Sequence, residues 1–137
     1  MAYYISNPVP RVSPRMLRQM FDENFEQERN VYFPVDVKMD DTTFEISAIL
    51  PGVSHEDINI TIENEVVTIT GEFKNTRDDE ATYYLTERPF GNFKRTLNLN
   101  VALNSEKAEA ELKDGILTLR VPKAAEAMPR SIKVKSK

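Results

Sequence analysis

Cysteine is absent from this 137-residue chain, which removes every disulfide framework and every thiolate metal site and fits a reducing compartment. Glycine occurs only at positions 52, 71, 91 and 115. Glycines so placed cannot form a G-x-x-x-x-G-K-[ST] phosphate loop, so no ATP site is recognisable. No stretch approaches the roughly 20 apolar residues of a membrane span. The start, Met1-Ala2-Tyr3-Tyr4-Ile5, has neither the basic residues nor the apolar run of a secretion signal. These gaps point to a cytoplasmic protein without stable membrane association, metal or cofactor. Histidine occurs once, as His55, just after the turn signal Pro51-Gly52, where an exposed loop residue is the ordinary expectation. Glu56-Asp57 and Asp78-Asp79-Glu80 lie in polar surroundings, without the apolar pocket that would split carboxylate pKa values into acid and base roles. The expectation is a protein that is not an enzyme.

What the chain does have is charge, unevenly spread. Residues 1–33 carry four basic and four acidic side chains, residues 34–123 carry ten against seventeen, and residues 124–137 carry four against Glu126 alone. An acidic centre repels phosphate backbones, and four dispersed basic residues do not reverse that, so nucleic acid is not an expected partner. The basic tail is electrostatically matched to the acidic centre.

Prolines divide the chain into an arm (residues 1–33), one domain (34–123) and a C-terminal extension (124–137). Between Pro34 and Pro122 the apolar residues alternate with period two. Phe44, Ile46, Ala48 and Leu50 run into Pro51-Gly52; Ile58, Ile60 and Ile62 form the next stripe. The short polar Glu63-Asn64-Glu65 precedes Val67 and Ile69, which reads as a hairpin ending at Gly71. Phe93, Leu97, Leu99 and Val101 continue the series. Ala108, Ala110 and Leu112 lead into Asp114-Gly115, the strongest short hairpin signal in the chain, followed by Leu117, Leu119 and Val121. About seven short strands without intervening helices predict an all-β fold, an antiparallel immunoglobulin-like β-sandwich.

Three segments do not belong to that sandwich. Lys74 to Asn92 is long for a hairpin link, acidic at Asp78-Asp79-Glu80, yet carries Tyr83, Tyr84 and Leu85 at its centre. Three bulky β-formers gain little from standing in water, so this loop is read as an exchange element that reaches another subunit. In the arm, Ser13-Pro14 is an N-cap with proline at the first helical position. Met16, Leu17, Met20, Phe21 and Phe25 then fall on one side of a short amphipathic helix; such a stripe is more often a core-docking face, while its methionines and phenylalanines also suit an adaptable surface for clients or other arms. In the tail, Ile132 and Val134 stand at period-2 spacing on a segment too short to bury them itself. They need a receiving groove.

Four motifs in order carry a family resemblance over residues 34 to 135. They are Leu50-Pro51-Gly52-Val53 ahead of Glu56-Asp57-Ile58; Glu87-Arg88-Pro89-Phe90-Gly91-Asn92-Phe93-Lys94-Arg95; Ala110 to Leu117 as A-x-x-x-x-G-x-L; and Ile132-Lys133-Val134 as I-x-I/V. Together they make the chain resemble the small heat-shock proteins of the alpha-crystallin family. The resemblance implies an alpha-crystallin β-sandwich that dimerises by strand exchange, and a tail that links dimers into a larger homo-oligomer. It further implies an ATP-independent holdase that keeps non-native client proteins from aggregating until ATP-driven chaperones refold them. Two departures stand out. Asn100-Val101 occupies the place where the family commonly has proline after a strand, which predicts a longer strand or a looser exit. Val134 replaces the usual isoleucine, one methylene fewer and worth about 0.8 kcal/mol when buried.

On this reading Ile132 and Val134 insert into an edge groove lined by Ile60 and Ile62 on one strand and Ala108, Ala110 and Leu112 on another, the alanines leaving room. An alternative reading is a co-chaperone or scaffold module with the same sandwich that recognises a single folded partner. Such a module would remain a monomer or dimer and would not need the tail.

Overall fold

In the computed structural model, residues 30–136 are described. Seven strands form in chain order: β1 (Val35–Met39), β2 (Thr43–Ile49), β3 (Ile58–Glu63), β4 (Val66–Phe73), β5 (Gly91–Asn98), β6 (Glu109–Lys113) and β7 (Ile116–Pro122). All pairings are antiparallel, in a four-stranded sheet of order β1-β2-β7-β6 and a three-stranded sheet of order β3-β4-β5. The expected antiparallel β-sandwich is what the chain forms.

The alternation read from the sequence is the alternation of the core. Phe44, Ile46 and Ala48 are buried along β2 with Leu50 just beyond it, Val67 and Ile69 along β4, Phe93 on β5, and Leu117, Leu119 and Val121 along β7. Each of these side chains except the small Ala48 contributes about 1.5–3 kcal/mol by leaving water. Two central strands of one sheet thus face the central strand of the other. Phe33, ahead of the expected domain start at Pro34, belongs to this core as well. Its ring meets Phe93 edge-on with centroids 5.1 Å apart, and Phe73 packs on Phe93 at the same distance. That aromatic cluster leaves no room at Gly71, opposite Phe93 in the β4–β5 pairing: a Cβ there would overlap both the Phe93 ring and the Asp57 carbonyl oxygen.

Turn chemistry sets the registers. Asp114 and Gly115 both take positive φ, 51° and 76°, between the paired residues Lys113 and Ile116, as a two-residue hairpin loop of the twist-matched kind requires. Asn64, at φ 52°, turns the chain between the paired Glu63 and Val66. Between β1 and β2, Asp40 Oδ1 accepts the backbone N–H groups of Thr42 and Thr43, each at 2.8 Å. Those two donors hold the Asp40 carboxyl below the usual carboxylate range.

Beyond β5 the structure departs from the sequence reading. The strand is not prolonged through Val101: it ends at Asn98, whose Oδ1 accepts the Asn100 N–H at 3.0 Å, and Asn100 turns with φ 57°. Asparagine tolerates this left-handed conformation, so the exit is a sharp turn rather than a loose end. The Leu103 N–H then bonds the Asn64 carbonyl at 2.9 Å. Strand β1, which no alternating stripe had singled out, is added to the edge of the larger sheet by pairing with β2.

Candidate assembly and client-binding surfaces

Each sheet has two edge strands, β1 and β6 in one and β3 and β5 in the other, and the chain ties the β3 and β6 edges together at both ends. At one end the Leu50 N–H bonds the Gly115 carbonyl at 2.7 Å, which brings the approach to β3 against the β6–β7 turn. At the other, Leu103 bonds Asn64 just before the turn of 3-10 helix (Ser105–Lys107) that leads into β6. The two edge strands therefore run in opposite directions, with the start of each near the end of the other. Ile60 and Ile62 on β3, and Ala108 and Leu112 on the β6 side, are half-buried against the core, while Ala110 between the latter two is exposed. The five residues expected to share a surface thus lie on two edges, one from each sheet, whose ends these bonds connect.

The tail displays its apolar pair without covering it: Ile132 is 81% exposed and Val134 96%. The arm residues Met16, Leu17, Met20, Phe21 and Phe25 lie outside the described residues.

The loop between β4 and β5 has a braced stem and a displayed tip. The Lys74 ammonium pairs with Asp57 at 2.9 Å, which raises the pKa of the lysine. Arg77 donates to the Arg88 carbonyl at 3.0 Å while its guanidinium lies 4.8 Å from the Phe90 ring centroid, a cation–π distance. Arg88 in turn donates to the Thr76 hydroxyl at 3.3 Å. Within the tip the three expected exchange residues divide. Tyr83 Oη accepts the Asp78 N–H at 2.7 Å and so holds the loop's own shape, whereas Tyr84 and Leu85 stand in solvent. Residues 83–85 form no strand within the single chain.

Two features escaped the sequence reading. Val37 and Met39 on β1 share the face that carries Ile46 and Phe44 of β2, yet both are exposed, Met39 by 70%. The signal was present as Val35-x-Val37-x-Met39, a run too short to stand out. A cleft of about 490 Å³ also opens between the loop stem and the segment entering β1, with Val31, Phe33, Ile49, Phe73 and Phe90 among its lining. Its walls come from distant parts of the chain, so no local pattern could reveal it.

On the outer face of the larger sheet, Glu45 stands between Lys38 at 3.0 Å and Arg120 at 3.1 Å. Hydrogen bonds from Lys38 first, then Arg120, hold its carboxyl below the usual range. His55 is exposed, and among the described residues no group of three or more His, Asp and Glu is placed to hold a metal ion. Among the same residues no helix is long and apolar enough to cross a membrane.

A two-sheet sandwich that displays apolar side chains on a sheet edge, a loop tip and a tail defines a protein built for recognition and assembly. The family model for the Hsp20/alpha crystallin family matches residues 36–135. Over 130 residues the chain is 28% identical to small heat shock protein C2 of Rickettsia felis, covering 87% of this chain and 84% of that protein. The solved structure of heat shock protein 16.0 from Schizosaccharomyces pombe is similar, with a TM-score of 0.66 at 29% identity over 79% of this chain and 100% of that one. So is that of a small heat-shock protein from Xylella fastidiosa described as having a distinct high order structure, with a TM-score of 0.62 at 28% identity over 78% and 99%. The chain belongs to the Hsp20/alpha crystallin family, the small heat-shock proteins. Its role is accordingly that of an ATP-independent molecular chaperone that binds unfolding proteins and prevents their aggregation.

Proposed function

We propose that this chaperone stores its apolar surfaces in a homo-oligomer and releases them to clients when subunits separate. The observation that carries the reading is the display of Ile132 and Val134 in solvent together with an unpartnered apolar strip of Ile60, Ile62, Ala108, Ala110 and Leu112 on the β3 edge and the β6 side. The tail of one subunit fills the strip of another. Each docked side chain contributes about 1.5–3 kcal/mol, so one tail is weak and many acting together close an assembly. Val134, smaller than isoleucine, keeps the contact exchangeable.

The dimer beneath that assembly forms through the loop. Tyr84 and Leu85 of one subunit cover the exposed Val37 and Met39 at the β1 edge of its partner, where the outermost strand offers unpaired backbone groups as well as side chains. Clients bind the surfaces that separation uncovers, together with the Met16, Leu17, Met20, Phe21 and Phe25 face of the arm. Refolding then falls to ATP-driven chaperones, the holdase itself performs no catalysis, and the setting is the cytoplasm.

The test is light scattering coupled to size-exclusion chromatography on the full chain and on a version ending at Glu126. A large assembly that collapses to dimers on truncation, and likewise in Ile132→Ala/Val134→Ala, is the expected result. Equal mass in all three would overturn the tail's role.

A further inference from the structure

The outer face of the larger sheet carries a row of charges in cross-strand register. Lys38 on β1 is opposite Glu45 on β2, Glu45 is opposite Arg120 on β7, and Arg120 is opposite Glu109 on β6. Signs alternate across all four strands, and the row stops at the β6 edge on a negative residue. The next row, Asp36, Ser47, Thr118 and Glu111, also ends there on a carboxylate. Glu63 lies at the end of β3 that is tied to the start of β6. Glu109, Glu111 and Glu63 are thus three exposed carboxylates along the edges that carry the apolar strip, and Arg120 opposite Glu109, Lys107 leading into β6 and Lys113 at its far end are the neighbouring cations.

Two segments of this chain display apolar residues that an open edge could take, and their charges are opposite. The loop carries Asp78, Asp79 and Glu80 just before Tyr83. The tail carries Arg130, Lys133 and Lys135 around Ile132 and Val134. In extended chain the residues flanking an inward pair point the other way, so with Ile132 and Val134 on the strip, Lys133 and Lys135 face its rim.

Resting on the tail-docking reading above, we propose that Glu109 and Glu111 address the β6 edge: they accept the basic tail of a neighbouring subunit and reject the acidic loop. Apolar burial supplies the affinity, and charge decides which segment is admitted and where it stops. A tail cation beside Glu109 would extend the alternating row by one further strand. The loop there would set carboxylate against carboxylate, which is unfavourable. The β1 edge, with Asp36 beside Lys38 on its outer face, carries no such excess of one sign.

Full-length protein is measured by light scattering on dilution, at salt from about 0.05 to about 0.5 M, over which the reach of exposed charges shrinks severalfold. Lys133→Glu/Lys135→Glu changes only the exposed tail. Glu109→Gln/Glu111→Gln removes the rim charge without placing a cation opposite Arg120. Each should raise the concentration at which the assembly dissociates about three- to tenfold at low salt and flatten its salt dependence. Glu109→Lys/Glu111→Lys should weaken assembly further, and combining it with Lys133→Glu/Lys135→Glu should restore it. Ile132→Ala/Val134→Ala is run alongside. If that variant disassembles while every charge variant matches the wild type, the charge address is wrong and tail docking stands. If that variant keeps its full size, both fall together.

Discussion

Arg95 on β5 donates through Nη1 to the carbonyl oxygen of Phe33 at 3.2 Å, and its guanidinium lies 5.8 Å from the ring centroid of Tyr32. A residue in the smaller sheet thereby fastens the segment that enters the larger one. The Val31 N–H bonds the Asn92 carbonyl at 2.8 Å, so the segment carrying Phe33 is tied to β5 at two points while its ring packs on Phe93. The contact is half-buried and charge-assisted, which makes it stronger than an exposed pair.

Arg95→Ala should therefore destabilise the domain by about 1–2 kcal/mol, the usual cost of losing one such bond. Arg95→Lys should recover only part, because an ammonium cannot bond Phe33 while spreading over the Tyr32 ring. Thermal melts of the two variants and the wild type give the order directly; equal midpoints would remove the clamp from the account.

Gly71→Ala tests packing rather than polarity. A methyl at this position meets the Phe93 ring and the Asp57 carbonyl, and in a close-packed interior neither yields cheaply. The expected loss is about 1–3 kcal/mol by overpacking. It should be visible as a lower denaturant midpoint with an unchanged slope, since the surface exposed on unfolding stays the same.

Acid should weaken the larger sheet through Glu45. Its carboxyl titrates lower in the folded protein than in the unfolded chain because Lys38 and Arg120 bond its charged form. The stabilisation is therefore complete above the ordinary glutamate pKa and is lost as pH falls through the depressed folded value. Asp40, lowered by the Thr42 and Thr43 N–H groups, acts in the same direction. Melting midpoints recorded from about pH 6 down to about pH 3 should fall, and should fall less steeply in Glu45→Gln. A variant profile parallel to the wild type would exclude Glu45 as a source.

How far the sequence disclosed this depends on whether the deciding contact was local. Phe44, Ile46, Ala48 and Leu50 announced β2 because one buried face imposes a period of two, and Asp114-Gly115 announced its turn because few residues accept two positive φ values. The alternation of Ile60 and Ile62, and of Ala108, Ala110 and Leu112, was readable for the same reason, while their joint role as a tail-receiving groove stays with the proposal. Phe33 was not, since nothing beside it in sequence distinguishes a core aromatic from an arm residue; Phe93 and Arg95, 60 and more positions away, make that choice. The Lys38–Glu45–Arg120–Glu109 row required strand register, which single residues do not encode. Asn100 was read as a missing proline, but its own left-handed turn does the stopping. The arm's Met and Phe stripe lies outside the described residues, and its role stays with the proposal.

Within the loop between β4 and β5, Tyr83 and its two neighbours should behave differently, because their surroundings differ. Tyr83 Oη accepts the Asp78 N–H, so its polar end serves the loop itself. Tyr84 and Leu85 are turned to solvent, and burial against a partner would be worth about 1.5–3 kcal/mol for each. In the version ending at Glu126, which lacks the proposed tail contact, Tyr84→Ser/Leu85→Ser should convert dimer to monomer. Tyr83→Phe keeps the ring and loses only the acceptor, leaving an exposed N–H that water can satisfy, so it should remain dimeric. Both comparisons are read as mass by light scattering. A dimer that survives loss of Tyr84 and Leu85 would move the subunit contact away from the loop tip, and the exposed Val37 and Met39 of β1 would then have to meet some other surface.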